Sequence, residues 1–337
     1  MLLSAGKQRG LKALANERGV IAALAIDQRS ALRGLFSKAS GQSKEDVPNE
    51  LLVQFKEHVS RILTPHASAI LLDPEVGLTA AAMRARTAGL LLAYEETGYD
   101  KSVRGRFPRL LDLFSVARLK RAGADAVKVL LYYSPFGGEA INERKHAWVE
   151  RVGAECMAGD VPFFLELVSY HDDMDEKGPD FARIKPEVVT RSVEEFCKPQ
   201  YAVDVLKVGV PVNMTFVESA VLPRWQALYT REEAQAHLRR ASQVASLPFI
   251  YLSEGVSNET FAEALAIAAE AGSAFSGVLC GRAIWQDGVA IFVKDGAKAL
   301  EDWLAGEGIR NIQKVNAGLA AAHPWFERFA VSSSGKG

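Results

Sequence analysis

Tyr201-Ala-Val-Asp-Val-Leu-Lys-Val-Gly-Val-Pro-Val-Asn-Met214 has the composition of a strand buried on both faces of a parallel sheet, yet it carries an ammonium near its end, before the break at Pro211. Side chains alternate along a strand, so Val203, Val205, Lys207 and Gly209 share one face, and Asp204, Leu206 and Val208 share the other. Taken alone, the stretch supports two readings equally. Lys207 either snorkels out at the strand end or is a buried amine that does chemistry. The other strands decide between them.

Moving toward the N-terminus, residues 161–168 read as a buried strand containing Glu166, and 125–133 as one containing Lys128. Residues 89–94 end in Glu95-Glu96, 68–72 in Asp73-Pro-Glu75, and 19–26 in Asp27-Gln28-Arg29. Toward the C-terminus, 248–252 end in Ser253-Glu-Gly-Val-Ser257 and 275–280 in Gly281-Arg282. Helical patterns separate these strands, at about 48–63, 79–86, 109–122, up to 157, 186–197, 231–244 and 259–271, after an amphipathic opening at 7–18. Four loops stand out: polar-rich 37–46, 97–108 with a positive cluster of Lys101, Arg104 and Arg106, irregular 170–179, and 214–230.

Eight buried strands alternating with helices predict an α/β fold, a (β/α)8 TIM barrel in a single domain. The domain is expected to span residues 1–328, N-terminal helix included, with 329–337 as a flexible tail. No G-x-G-x-x-G follows the first strand, which sets aside a dinucleotide-binding sheet. A length of 337 residues with 48% hydrophobic content suits one barrel with elaborated loops.

The formal charge of -1 provides no global field for nucleic acid or anionic lipid, so neither is expected as a partner. Three scattered cysteines, Cys156, Cys197 and Cys280, form no C-x-x-C pair and argue against a disulfide framework or structural zinc. No apolar run is long enough to span a bilayer, and the opening residues lack a signal-type apolar stretch. The expected compartment is the cytoplasm, with a homo-oligomer left open.

Barrel active sites form at the C-terminal strand ends, which here carry Asp27, Asp73, Glu166, Lys207, Ser253 and Arg282. Asp73, before Pro74, reads as a turn or cap residue, and Glu95 with Glu96 as a solvated loop start. Glu166, set within Phe163-Phe-Leu-Glu-Leu-Val168, calls for a buried cationic partner, which Lys128 and Lys207 on the flanking strands supply if all three face the lumen. An amine attacks a carbonyl only when neutral, and a water-poor lumen with a second ammonium nearby favours that form. Glu166 is then placed to shuttle protons, and Asp27 to take the hydroxyl proton whose loss breaks a carbon–carbon bond, which together make a retro-aldol site. Ser253 with Gly255, and Gly281 with Arg282, stand where such barrels bind phosphate. No metal cofactor is expected. His58, His66, His146, His237 and His323 fall in or at the edges of helices, and only His171 follows a strand.

The motifs Ala23-Leu-Ala-Ile-Asp-Gln-Arg29, Ile70-Leu-Leu-Asp-Pro-Glu75, Ala126-Val-Lys-Val-Leu-Leu-Tyr-Tyr133, Pro162-Phe-Phe-Leu-Glu166, Val205-Leu-Lys-Val208, Pro211-Val-Asn213 and Val278-Leu-Cys-Gly-Arg282 resemble those of the tagatose 1,6-bisphosphate aldolases. These are class I, Schiff-base-forming enzymes, and the resemblance covers residues 10–325. It implies cleavage of a ketohexose 1,6-bisphosphate to dihydroxyacetone phosphate and glyceraldehyde 3-phosphate, without metal, with Lys207 as the Schiff-base residue and Glu166 as acid and base. It also places Asp27, Gln28 and Lys128 at the reacting carbons, and Ser253, Gly255, Gly281 and Arg282 at a phosphate, while Gln28 and Arg29 are expected to bind substrate. The chain departs from the family in having Lys207-Val-Gly209-Val-Pro211 where Lys-Val-Glu-x-Pro is usual, and Glu254 is an unusual carboxylate nearby. Three rivals remain at this point: an aldolase for another ketose 1-phosphate such as sulfofructose 1-phosphate, a transaldolase-like transferase, and a non-catalytic sugar-phosphate sensor.

Overall fold

The computed structural model describes residues 3–100, 102–219 and 227–329. Eight parallel strands close on themselves: β1 (Ile21–Ala25), β2 (Ala69–Leu72), β3 (Gly89–Ala93), β4 (Ala126–Tyr133), β5 (Phe163–Ser169), β6 (Val205–Val208), β7 (Phe249–Leu252) and β8 (Gly277–Cys280). Closure comes from β8 pairing with β1, with Ile21 opposite Gly277. The helices are α1 (Ala5–Leu14), α2 (Ser30–Ser40), α3 (Asn49–Leu63), α4 (Leu78–Met83), α5 (Val116–Arg121) and α6 (Glu139–Gly159). They continue as α7 (Pro179–Phe196), α8 (Arg231–Val244), α9 (Asn258–Glu270), α10 (Arg282–Trp285), α11 (Gly288–Trp303) and α12 (Ile309–Ala317).

Strand alternation divides the core into two shells. Leu24, Ile70, Leu92, Val129, Leu165, Leu206 and Tyr251 face the helices, while Ala23, Ala69, Leu91, Phe164, Val205, Ile250 and Leu279 fill the lumen. Leu11 and Leu14 of α1, with Trp325 and Phe329, join the lumenal shell and close its N-terminal end. Lys7 fixes α1 there through a buried ion pair with Asp204 at 2.7 Å, and Asp204 also accepts the Phe163 N–H at 2.8 Å. Phe329, expected to begin the loose tail, is buried against Trp325, and the rest of that segment, 330–337, lies outside the described residues.

Several local expectations are corrected. The loop expected over 37–46 starts only after α2, which runs to Ser40 and sets Leu32 and Phe36 one turn apart against the core. The helix expected over 109–122 shrinks to α5, because residues 109–111 pair with the end of β3: Glu96 N–H donates to the Arg109 carbonyl and Leu111 N–H to that of Tyr94. Conversely, α7 begins at Pro179 rather than 186 and carries Pro186 inside it. Proline has no N–H to offer the Ala182 carbonyl one turn back, and the Tyr229 hydroxyl donates to that oxygen instead, at 3.0 Å. The loop 214–230, which supplies Tyr229, is described only up to 219 and from 227.

Candidate active site

Register brings the three lumenal charges together. Glu166 stands opposite both Leu130 of β4 and Lys207 of β6, and Lys128 lies two residues earlier on the same face of β4 as Leu130. The Glu166 Oε2 atom lies 2.9 Å from the Lys207 ammonium and 2.8 Å from that of Lys128, within ion-pair reach of both but off the hydrogen-bonding direction of each. Lys128, fully buried, also donates to Asp27 at 2.8 Å and to Glu95 at 2.7 Å. Lys207, 3% exposed, closes the chain of charges from the β6 side. Of the two readings of the opening stretch, the snorkelling lysine is thus excluded.

Lys128 has more partners than the one carboxylate expected for it. It pairs with Glu166 as expected, but Asp27 and Glu95 flank it as well, so it is a cation wrapped by three carboxylates. Burial disfavours its charge, but attraction to Asp27, then Glu166 and Glu95, outweighs this and holds its pKa well above the ordinary lysine range. Burial alone would raise the Asp27 pKa, yet Lys128 and then Lys207 hold it well below the usual carboxylate range. Glu166 is lowered by the same balance, burial opposed by Lys128 and Lys207. Glu95 goes the other way: burial and repulsion from Asp27 prevail over Lys128 and raise its pKa. With three carboxylates facing two lysines, Glu95 is the member that most readily carries a proton.

Glu95 was missed by the sequence, which read it as solvated. The antiparallel bridge between Glu95 and Leu110 folds the chain back over the end of β3 and leaves Glu95 3% exposed. Its neighbour Glu96 does face outward and pairs with Arg109 at 2.7 Å. Asp73 keeps its turn role, accepting the N–H groups of Glu75 at 3.0 Å and Val76 at 2.9 Å, but it also forms a fully buried ion pair with Lys56. Arg29 is bound within the protein, donating to the Glu75 carboxylate and, at 2.8 Å, to the Glu95 carbonyl, so it braces the ends of β2 and β3. Gln28 is half-buried, and its Oε1 atom has no partner among the described residues, which leaves it free to accept from a ligand.

The residues expected to hold an anion lie together at the ends of β7 and β8. Ser253 is buried at the β7 end, and Gly255 adopts a left-handed φ of +79°. A Cβ at Gly255 would lie 2.7 Å from the Arg282 guanidinium carbon, so only glycine lets the arginine rest on the loop backbone. Gly281 immediately precedes Arg282, whose guanidinium has no carboxylate within ion-pair distance among the described residues. The neighbouring Cys280 thiol is pushed up to about 12 by burial and is chemically quiet.

The positive cluster expected in 97–108 is neutralised by the irregular loop across the mouth. Arg104 pairs with Asp173 at 2.8 Å and Arg106 with Glu176 at 2.6 Å, while Lys101 lies outside the described residues. Arg106 also rests over the rings of Tyr132 and Tyr170, at 5.1 and 4.6 Å from their centroids. Tyr99 donates to the Leu130 carbonyl and packs edge-on against Tyr132. Together they wall the β4–β5 side of the mouth. No group of three or more His, Cys, Asp or Glu with metal-holding geometry occurs among the described residues, and no described helix is long and apolar enough to cross a membrane.

Comparison with known proteins agrees with this geometry. A tagatose 1,6-diphosphate aldolase of Enterococcus faecalis is 51% identical over 315 residues, covering 93% of this chain and 94% of that protein. A second, from Streptococcus pyogenes, is 46% identical with 97% and 98% covered, and one from Listeria monocytogenes is 45% identical with 97% and 96% covered. Among solved structures, the fructose-bisphosphate aldolase of Plasmodium falciparum superposes with a TM-score of 0.68 at 13% identity, over 96% of this chain and 97% of that one, a likeness of fold. A Schiff-base-forming fructose 1,6-bisphosphate aldolase superposes at 0.53 with 14% identity, over 87% and 96%. The sequence model of the DeoC/LacD family aldolases matches residues 21–287, from β1 through α10, and the chain belongs to that family.

Proposed function

We propose that this chain is a class I aldolase that cleaves D-tagatose 1,6-bisphosphate to dihydroxyacetone phosphate and D-glyceraldehyde 3-phosphate, without a metal, through a Schiff base on Lys207. The observation that carries the reading is the buried lysine amine held 2.9 Å from a carboxylate that a second, fully buried lysine orients. The names of relatives up to 51% identical over nearly the whole chain support the substrate. Lys207 attacks the C2 carbonyl, and Glu166 passes the protons that dehydration of the carbinolamine requires. Asp27, with an unpartnered Oδ1, takes the proton from the C4 hydroxyl. The C3–C4 bond then breaks, its electron pair moves into the iminium to give an enamine, and the aldehyde leaves. Protonation of the enamine at C3 and hydrolysis of the resulting iminium release dihydroxyacetone phosphate and restore the free amine.

Lys128 does no bond-making in this scheme. It holds Asp27, Glu95 and Glu166 together, so both proton acceptors are pre-set before substrate arrives. Arg282, Ser253 and the Gly255 backbone take the phosphate next to the carbonyl. The direct test incubates the protein and an excess of chelator with tagatose 1,6-bisphosphate and measures both triose phosphates. Their appearance in equal amounts supports the reading. No cleavage, or cleavage that needs added divalent metal, would refute it.

A further inference from the structure

Gly209 lies one repeat beyond Lys207 on the lumenal alternation of β6, and it is buried although it has no side chain. The space is taken by another residue. A Cβ built on Gly209 would lie 2.5 Å from Oε1 of Glu254, 2.9 Å from its Cδ and 3.2 Å from Oε2. Glu254 reaches there from the β7 end with a left-handed backbone, φ +50°, which a non-glycine residue adopts only when its surroundings hold it. Lys185 of α7 does so, its ammonium 2.6 Å from Oε2, with the two side chains 7% and 28% exposed. Oε1 has no hydrogen-bond donor among the described residues. One oxygen is thus committed to a buried lysine, and the other is left open above the Lys207 face.

We propose that Glu254 is a specificity-determining residue: Lys185 fixes its carboxylate over Gly209, and its free oxygen accepts a hydrogen bond from the C5 hydroxyl of the sugar chain attached to Lys207, whose position the configuration at C4 sets. The inference rests on Lys207 as the covalent residue and deepens that reading. A buried lysine needs a counter-charge, and that requirement alone would explain the ion pair. It does not explain why the carboxylate leaves one oxygen unpaired over a glycine on the lysine face. A hydroxyl bound by a fixed charged acceptor is discriminated, because a bound substrate that covers the carboxylate without presenting the hydroxyl displaces its water and gives no bond in return.

The test compares Glu254→Gln, Gly209→Glu, and Gly209→Glu combined with Glu254→Ala. Each is measured by thermal melting, by cleavage of the C4-epimeric ketohexose bisphosphates, and by borohydride trapping of dihydroxyacetone phosphate on Lys207. Glu254→Gln keeps the volume, and it should lower kcat/KM for the preferred epimer on the order of ten- to hundredfold and shrink the ratio between epimers. Trapping of the triose should stay within about twofold of wild type, since the hydroxyl in question is absent from it. Gly209→Glu alone crowds two carboxylates into one space and should lose activity. The double variant moves the carboxylate from β7 to β6 and should recover it. An unchanged epimer ratio in Glu254→Gln, or a double variant that regains its melting temperature but not kcat/KM, would overturn the proposal. Failure of the wild type to trap triose on Lys207 would sink the Schiff-base reading separately, while the epimer ratio still decides the role of Glu254.

Discussion

Replacing Lys128 by methionine removes the one cation that touches Asp27, Glu95 and Glu166 together, at 2.7 to 2.8 Å, and leaves the chain of charges with Lys207 alone. Methionine fills most of the volume, so the cost is electrostatic. Breaking a buried ion pair by deleting one partner costs about 3 to 5 kcal/mol, and three carboxylates sharing the lost cation put the expectation at the upper end. The cost must depend on pH. In the wild type the Asp27 and Glu166 pKa values are depressed, so their contribution is present above the unfolded carboxylate pKa of about 4 and is lost as pH falls through the folded values. In the variant, burial acts on these carboxyls without Lys128 and raises them, so the folded state keeps its protons and loses stability as pH rises above about 4. The stability gap between the two proteins should therefore open from about pH 4 to about pH 8. Urea unfolding at those two pH values measures it. A gap below about 1 kcal/mol, or one equal at both, would show that Lys128 does not hold the carboxylates.

Three further outcomes follow from the same geometry. Glu166→Gln keeps the volume but removes the charge that faces both lysines and cannot carry a proton; it should lower kcat about a hundred- to ten-thousandfold and lower the melting temperature as well, since two buried cations lose a carboxylate; single-turnover cleavage near the wild-type rate would move the acid–base role elsewhere. Arg282→Ala should weaken a phosphorylated ligand about ten- to hundredfold, the worth of one charge-assisted contact, and leave an unphosphorylated ketose unaffected; equal loss for both would make Arg282 structural. Lys145, fully buried under Tyr170, is pushed down to about 7 by burial, so between about pH 7 and 10 the unfolded chain binds the extra proton and stability rises with pH. Lys145→Met should remove that rise, and parallel pH profiles for the two proteins would contradict it.

Much of this site was legible because two periodicities coincide. The alternation of Val205 with Lys207 put the lysine in the lumen, although Val203, ahead of the strand, packs with the outer shell instead, and the same alternation through Phe164 and Glu166 placed a carboxylate opposite it. The pairing register fell out of closure of the barrel. Glu95 was not legible: its burial depends on a bridge to Leu110, fifteen residues on, in a segment that reads as helix by pattern. Nor was the position of Arg29, whose strand-end placement suggests a ligand but whose reach to Glu75 and the Glu95 carbonyl depends on the turns after β2 and β3. The start of α7 was hidden by Pro186, a helix breaker tolerated here because Tyr229, far along the chain, satisfies the carbonyl it leaves free. The lost side chain at Gly209 read as a gap, yet Glu254 fills it from the loop after β7, a contact that linear spacing does not encode.

The central claim, an amine on β6 that bonds covalently to the ketose, is tested most directly by borohydride reduction in the presence of dihydroxyacetone phosphate, followed by peptide mass mapping. A reduced triose adduct on the peptide containing Lys207, abolished in Lys207→Met, is the predicted result. An adduct on Lys128, or none under conditions in which the enzyme turns over, would contradict it.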